Sequence, residues 1–226
     1  MVVTPPVVGA VLSGVTWRHA LLVAAWLAGY LALAAGGLWL RSRRQARYRT
    51  AVLVYAGVAT CLGVALVAVA PRLLVWAPVF AVALAATLFA TVRRAERAWL
   101  NDAVSVAAAA VMAPVANTVG THPDLGVGWA AAGVMFTYFF GTVLYVKTMI
   151  RERGRRSVLV ASVMYHVVVA LVGWFVHPVL GVVATVLAVR AWAVPTRWPG
   201  AKPKTIGLSE VAATLALAVA TWLAFG

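Results

Sequence analysis

Arg41-Ser42-Arg43-Arg44-Gln45-Ala46-Arg47-Tyr48-Arg49 separates two long apolar runs, residues 20–40 and 51–70, and the reading of this stretch decides the fold. Similar basic gaps recur at 93–102, 147–156 and 190–204, each again between apolar runs. All but two of the 19 Lys and Arg residues fall in these four gaps, and the exceptions, Arg18 and Arg72, lie in the gaps between them. Lys and Arg are retained on the cytoplasmic side of a membrane. Strict alternation therefore predicts a serpentine path through a bilayer with all four basic gaps inside the cell.

Composition points the same way. Of 226 residues, 64% are apolar and 11% charged, with a mean hydropathy of +0.97. A water-soluble core of ordinary proportions cannot hide that much hydrocarbon, so the expected solvent is lipid. A net charge of +14 raises the question of nucleic acid. The bases sit in short gaps between spans, where they set orientation and meet anionic lipid headgroups, and no nucleic-acid partner is expected. Cys61 is the single cysteine and lies in an apolar run. That excludes an intrachain disulfide, a CxxC pair and a thiolate zinc site, and leaves packing as its expected role. No basic region precedes the first apolar stretch, so no cleavable signal peptide is expected. The bias to Arg, Ala, Val and Gly suggests a bacterial gene of high G+C content, and hence the bacterial plasma membrane.

About twenty residues at 1.5 Å each cross the hydrocarbon layer. Cutting where that length meets charge, Pro or Gly gives residues 20–40, 51–70, 73–92, 103–120, 125–146, 158–176, 179–194 and 206–225. The first stretch, 2–16, contains Pro5 and Pro6 and reads as a truncated span. With it there are nine spans, without it eight, and in either case the C-terminal Gly226 is expected outside. Only helices satisfy the backbone of an open chain in lipid, and the runs are too long for barrel strands. The fold class is all-α: a polytopic transmembrane helical bundle of 8–9 spans forming one integral membrane domain over 1–226. Trp residues such as Trp17, Trp39, Trp76, Trp174 and Trp198 fall near span ends, as an interfacial belt requires.

Chemistry is sought where ionisable groups border or enter a span, because each needs a partner, water or a purpose. Glu96, Asp102, Lys147, Glu152, Arg190 and Glu210 all fall at expected cytoplasmic ends and could share one level of the bundle. Each could equally be an end-of-helix charge, with Glu96 and Glu152 paired to neighbouring Arg residues and Asp102 favouring the start of its helix. At 100° per residue, Tyr138, Thr142, Tyr145, Thr148 and Glu152 share one face that should point inward. Lys147 and Arg151 share another, where they could clamp a phosphate or carboxylate or touch lipid headgroups. His166 lies mid-span, either as a proton relay or hydrogen-bonded to a Ser, Tyr or Asn on the next helix. Asn117 and Pro114 line a cavity or kink a helix. No metal site or cofactor motif is present, and no GxSxG, HExxH, P-loop or Rossmann pattern occurs.

Three motifs resemble a known family: Arg94-Ala95-Glu96-Arg97-Ala98-Trp99-Leu100-Asn101-Asp102, Lys147-Thr148-Met149-Ile150-Arg151-Glu152-Arg153-Gly154 and Lys202-Pro203-Lys204-Thr205-Ile206-Gly207. In these the chain is similar to the YwiC-like family of bacterial polytopic membrane proteins, a group that carries no assigned activity. Members usually open with a segment like Pro-Asn-Gln-His-Gly-Ala-Trp-Ala-Met, of which only Met1 onward would match, so a late start of this chain is expected. A looser likeness of topology links it to UbiA-type prenyltransferases, and the resemblance implies a similar helical scaffold. Those enzymes hold Mg²⁺ with two Asp-rich motifs. Here the corresponding gaps are basic, which puts that reaction in doubt.

Three functions remain. The leading one is a non-enzymatic protein that binds or moves an anionic or lipid-like ligand through a cavity open to the cytoplasm. Lys147, Arg151, Arg153 and Arg97 would meet the ligand's polar end, with Tyr145 and Asn101 beside them, and Glu96, Asp102, Glu152 and Glu210 would orient those bases. The second is a transferase-like enzyme acting on a lipid phosphate with the same residues. The third is a structural or assembly partner in a membrane complex.

Overall fold

A computed structural model describes residues 1–93 and 99–226. The described residues form helices and connecting turns with no strand: α1 (Thr4–Ser13), α2 (Trp17–Arg41), α3 (Ala46–Val69), a 3₁₀ turn (Pro71–Trp76) leading into α4 (Ala77–Val92), α5 (Trp99–Ala110), α6 (Met112–Asn117), α7 (Leu125–Met149), α8 (Arg156–Val176), α9 (Pro178–Arg197) and α10 (Pro203–Phe225). Eight stretches of the described chain are long and apolar enough to cross a membrane: α2, α3, Pro71–Val92, Trp99–Asn117, α7, α8, α9 and α10. Each coincides with one of the runs cut from the sequence. Large apolar side chains such as Leu53, Val82, Val168 and Leu215 are exposed, and Phe175 reaches 91% exposure. In water such a surface would be an aggregation site; in lipid it is solvated by acyl chains. This is a multi-pass, all-helical membrane protein.

Helix α1 is too short to cross the membrane. Its ten residues rise about 15 Å, roughly half the hydrocarbon thickness. Pro5 and Pro6 stand in its first turn, where a missing N–H leaves nothing unsatisfied, and Gly14 at φ 80° ends it. Protein contacts replace the lipid it cannot reach. A Cβ on Gly9 would lie 2.1 Å from the carbonyl oxygen of Ala113 in α6, so the two backbones touch and only glycine fits. His19 secures the following turn. Its Nδ1 accepts the Thr16 N–H at 2.9 Å, which leaves Nε2 to donate to the Ala116 carbonyl at 2.9 Å, while the Thr16 hydroxyl donates to Val119 O at 3.1 Å.

The span Trp99–Asn117 is broken at Val111, between α5 and α6. Pro114 explains the break: it has no N–H for the Ala110 carbonyl, and its ring crowds that carbonyl. Of the two roles open to Pro114 in the sequence, the helix break is the one observed. Asn117 is fully buried, and its Oδ1 accepts the Asp124 N–H at 2.7 Å. Asp124 Oδ1 in turn accepts the N–H groups of Gly126 and Val127 at the start of α7.

The chain divides into two compact units, Met1–Ala132 and Gly133–Gly226. The first has a core of Leu22, Leu66, Leu73, Trp76, Met112, Val115 and Val119. In the second, Tyr145 and Met149 of α7 pack with Ala191 and Ile206, and Ala170, Ala184 and Ala188 let α8 and α9 approach closely. Cys61 departs from expectation: it is exposed on α3, on a face turned to lipid, because the inward positions of that helix are held by Leu66 and its neighbours. Replacing Gly9 with Val should separate α1 from α6 and cost about 2 kcal/mol or more. A lowered thermal midpoint of the purified protein in detergent, with helical content retained, is the expected reading.

Candidate functional site

The buried polar cluster of the second unit is built on three helices. Tyr138, Thr142 and Tyr145 lie along one face of α7, as their spacing predicts, with Arg190 on α9 and Glu210 on α10. Thr142 and Arg190 each stand seven residues before the ends of α7 and α9, and Glu210 stands seven residues after the start of α10. At 1.5 Å per residue the three meet about 10 Å inside their helix ends. The sequence places Glu210 only one turn inside its span. In the structure it is two turns in, because Pro203 at the first helical positions extends α10 toward its N-terminus.

Arg190 and Glu210 have side chains only 15% exposed, and they form an ion pair of 2.7 Å between Nη2 and Oε1. The contact is close without being an aligned hydrogen bond, since Oε1 has no partner by angle. The other carboxylate oxygen, Oε2, accepts from the Thr142 hydroxyl at 2.9 Å and from Tyr138 at 3.3 Å. Tyr138 also meets the Thr214 hydroxyl at 2.9 Å. The Arg190 guanidinium lies 4.4 Å over the ring of Tyr145, which is 1% exposed. A charge taken out of water is tolerated only when paired and hydrogen-bonded, and the carboxylate meets that condition. The guanidinium meets it only in part. Its Nε and Nη1 are buried and have no hydrogen-bond partner among the described residues.

His166 sits in the same unit, midway along α8. Its Nδ1 donates to the Ser162 carbonyl of its own helix at 2.7 Å, where the sequence suggested a partner on the next helix. Nε2 faces α7, close enough that a Cβ on Gly141 would come within 3.0 Å. Beside it the Ser162 hydroxyl is buried with no hydrogen-bond partner among the described residues, and Tyr165 donates to Thr137 O at 2.9 Å.

The remaining candidates separate. Lys147 is buried at 7% exposure, whereas Arg151 is exposed. The expected shared face of these two does not form, because α7 ends at Met149 and the Glu152 N–H turns back to the Lys147 carbonyl at 2.7 Å. Glu152 pairs with Arg155, and Arg153 Nε donates to Met149 O at 3.0 Å, both as local contacts of the turn. Asn101 and Asp102 are half-buried in the first turn of α5, with Asp102 placed to favour the helix start. Glu96 and Arg97 lie outside the described residues. Among those described, no group of three or more His, Cys, Asp or Glu residues could hold a metal ion. Sequence reasoning listed Arg190 without making it central and missed Thr214. Their signal was available as an Arg and a Glu each about one turn inside consecutive apolar runs, with Thr214 one turn beyond Glu210.

Neutralising one member of the pair should be worse than removing both. Glu210→Leu leaves a buried guanidinium without its counter-ion and should cost about 3 kcal/mol. Arg190→Met combined with Glu210→Leu should recover most of that loss in a double-mutant cycle of thermal or denaturant unfolding.

The chain is 29% identical over 218 residues to the protein YwiC of Bacillus subtilis (strain 168), an alignment that covers 93% of this chain and 88% of the relative. No solved structure matches it. The model of the family described as YwiC-like protein matches residues 1–117, a little over half the chain. This multi-pass membrane protein belongs to the YwiC-like family.

Proposed function

We propose that this YwiC-like protein binds an anionic ligand from the cytoplasmic side of the bacterial plasma membrane, with Arg190 as the group that recognises it. The observation that carries this reading is the half-used guanidinium: Glu210 and Tyr145 hold it in place, while Nε and Nη1 are buried donors with no acceptor among the described residues. Arg is well suited to carboxylate and phosphate oxygens, and a fixed Arg loses little entropy on binding one. The charge around it has the right sign. From residue 133 onward the chain carries nine basic residues against two acidic ones, Glu152 and Glu210. Arg151 and Arg153, exposed in the turn after α7, would supply the basic approach, with Lys147 buried at the end of that helix, and the single membrane domain over 1–226 would hold the site. The positive-inside rule puts the basic gaps in the cytoplasm.

A structural role is the second reading, favoured by one observation: Glu210 ties α7, α9 and α10 together through Thr142, Tyr138 and Arg190. A transferase acting on a lipid phosphate would use the same arginine, but it needs a leaving-group step for which the basic gaps offer no Asp-rich motif.

Native mass spectrometry of protein extracted from bacterial membranes separates these readings. Wild type should carry an anionic adduct of defined mass. The neutral pair Arg190→Gln with Glu210→Gln should keep its thermal midpoint within a few degrees yet lose the adduct by at least about tenfold. A wild type without any adduct, or equal retention by the variant, overturns ligand binding in favour of the structural role. Orientation has its own check. With Cys61→Ser as background, Ser42→Cys should react with a membrane-impermeant maleimide only after the cells are opened, and labelling of intact cells would reverse the topology.

A further inference from the structure

The first unit contains a cavity of about 500 Å³ between α2, α3, the 3₁₀ turn with α4, and α5 with α6. We propose that it is a binding site for one acyl chain of a membrane lipid. Its volume lies within the range of small-molecule pockets, roughly 300–1,000 Å³. No acidic or basic side chain lines it. The polar groups on its wall are mostly committed elsewhere: Trp26 Nε1 donates to Val2 O, Thr87 to Ala83 O and Trp76 Nε1 to the Thr118 hydroxyl. What faces the interior is carbon, with Trp26 and Phe80 forming a tilted aromatic pair at 5.7 Å that stiffens one wall. A charged or strongly hydrated ligand would lose its water there and find few partners beyond the hydroxyls of Tyr30 and Ser105 and the N-terminal amine.

The surroundings name the occupant. All the wall residues except Met1 and Val2 belong to stretches long and apolar enough to span the bilayer, so the molecules that reach them at that depth are hydrocarbon chains. Two glycines keep the space open. Gly29 of α2 and Gly63 of α3 both line the cavity, and a Cβ on either would find no heavy atom within 4 Å. Glycine inside a helix is unfavourable relative to alanine or leucine, and helix packing does not require it at either position. A leucine at each would extend into the cavity, fill part of it and leave the neighbouring helices in place.

This site is independent of Arg190 and stands if the anion reading fails. The test reconstitutes the full chain in nanodiscs of phosphatidylcholine carrying a diazirine on one acyl chain, followed by photolysis and peptide mass spectrometry. In wild type, cross-links should concentrate on Trp26, Phe80 and Met112 relative to the exposed, lipid-facing Val58 and Val82. In Gly29→Leu with Gly63→Leu, the cavity signal should fall by about fivefold or more, the loss expected when the pocket is filled, while Val58 and Val82 are labelled as before. Equal labelling of cavity and outer face in wild type overturns the proposal, whether or not the variant folds. So does a cavity signal that survives both leucines in a variant of normal helical content.

Discussion

The hydrocarbon layer offers no water to an unpaired N–H, C=O or charge, and every other feature of this protein answers to that lack. Backbone groups close on themselves in eight long apolar stretches. Charge is pushed into the turns between them, where Arg41, Arg43 and Arg44 stand around the end of α2 and Arg151 to Arg156 follow the end of α7. Arg190 and Glu210 enter the spans by two turns, and they do so facing one another. An isolated charge at that depth would cost several kcal/mol, so the pair is the condition for either residue to be there.

Lipid also removes the usual force that drives helices together, since acyl chains are as apolar as leucine. Contact must come from close fit and from polar groups. Both are visible. The backbones of α1 and α6 touch at Gly9 and Ala113, and alanines line the α8–α9 seam. His19, Thr16 and Asn117 bind backbone groups where the short α1 and the broken α5–α6 span leave them exposed to each other. Where α2, α3 and α4 fit less closely, glycines leave a space that only a hydrocarbon solvent fills at small cost.

How far the sequence reveals this depends on which contacts decide each feature. Span positions, the short first helix and the inward face of Tyr138, Thr142 and Tyr145 are set by local length, charge and period, and all are legible. The break at Val111 is nearly so, because Pro114 acts on its own helix. What escapes is tertiary. Extending the helical wheel past Met149 carries Arg151 and Glu152 onto faces they never occupy, since α7 turns back at that point. Cys61 and Leu66 are both apolar positions on α3, and nothing local says which meets lipid. The choice of Arg190 as the partner of Glu210, over Lys147, depends on how α9 packs with α10.

A buried ion pair is weak evidence for stability, because well-packed apolar residues of similar volume often do as well. The pair here is also incompletely built. Glu210 has two hydroxyl donors on Oε2 and the guanidinium on Oε1, so its charge is well met. Arg190 has one carboxylate contact and one aromatic face for five N–H groups, and three of these, the one on Nε and the two on Nη1, have no hydrogen-bond partner among the described residues. A clamp shaped only to hold three helices would gain by satisfying those donors with a further Thr or Asn, and a half-satisfied network is worse for folding than none. The asymmetry is what the proposed ligand-binding role would require: the carboxylate and the tyrosine ring fix the arginine, and an acceptor from outside the chain would complete it.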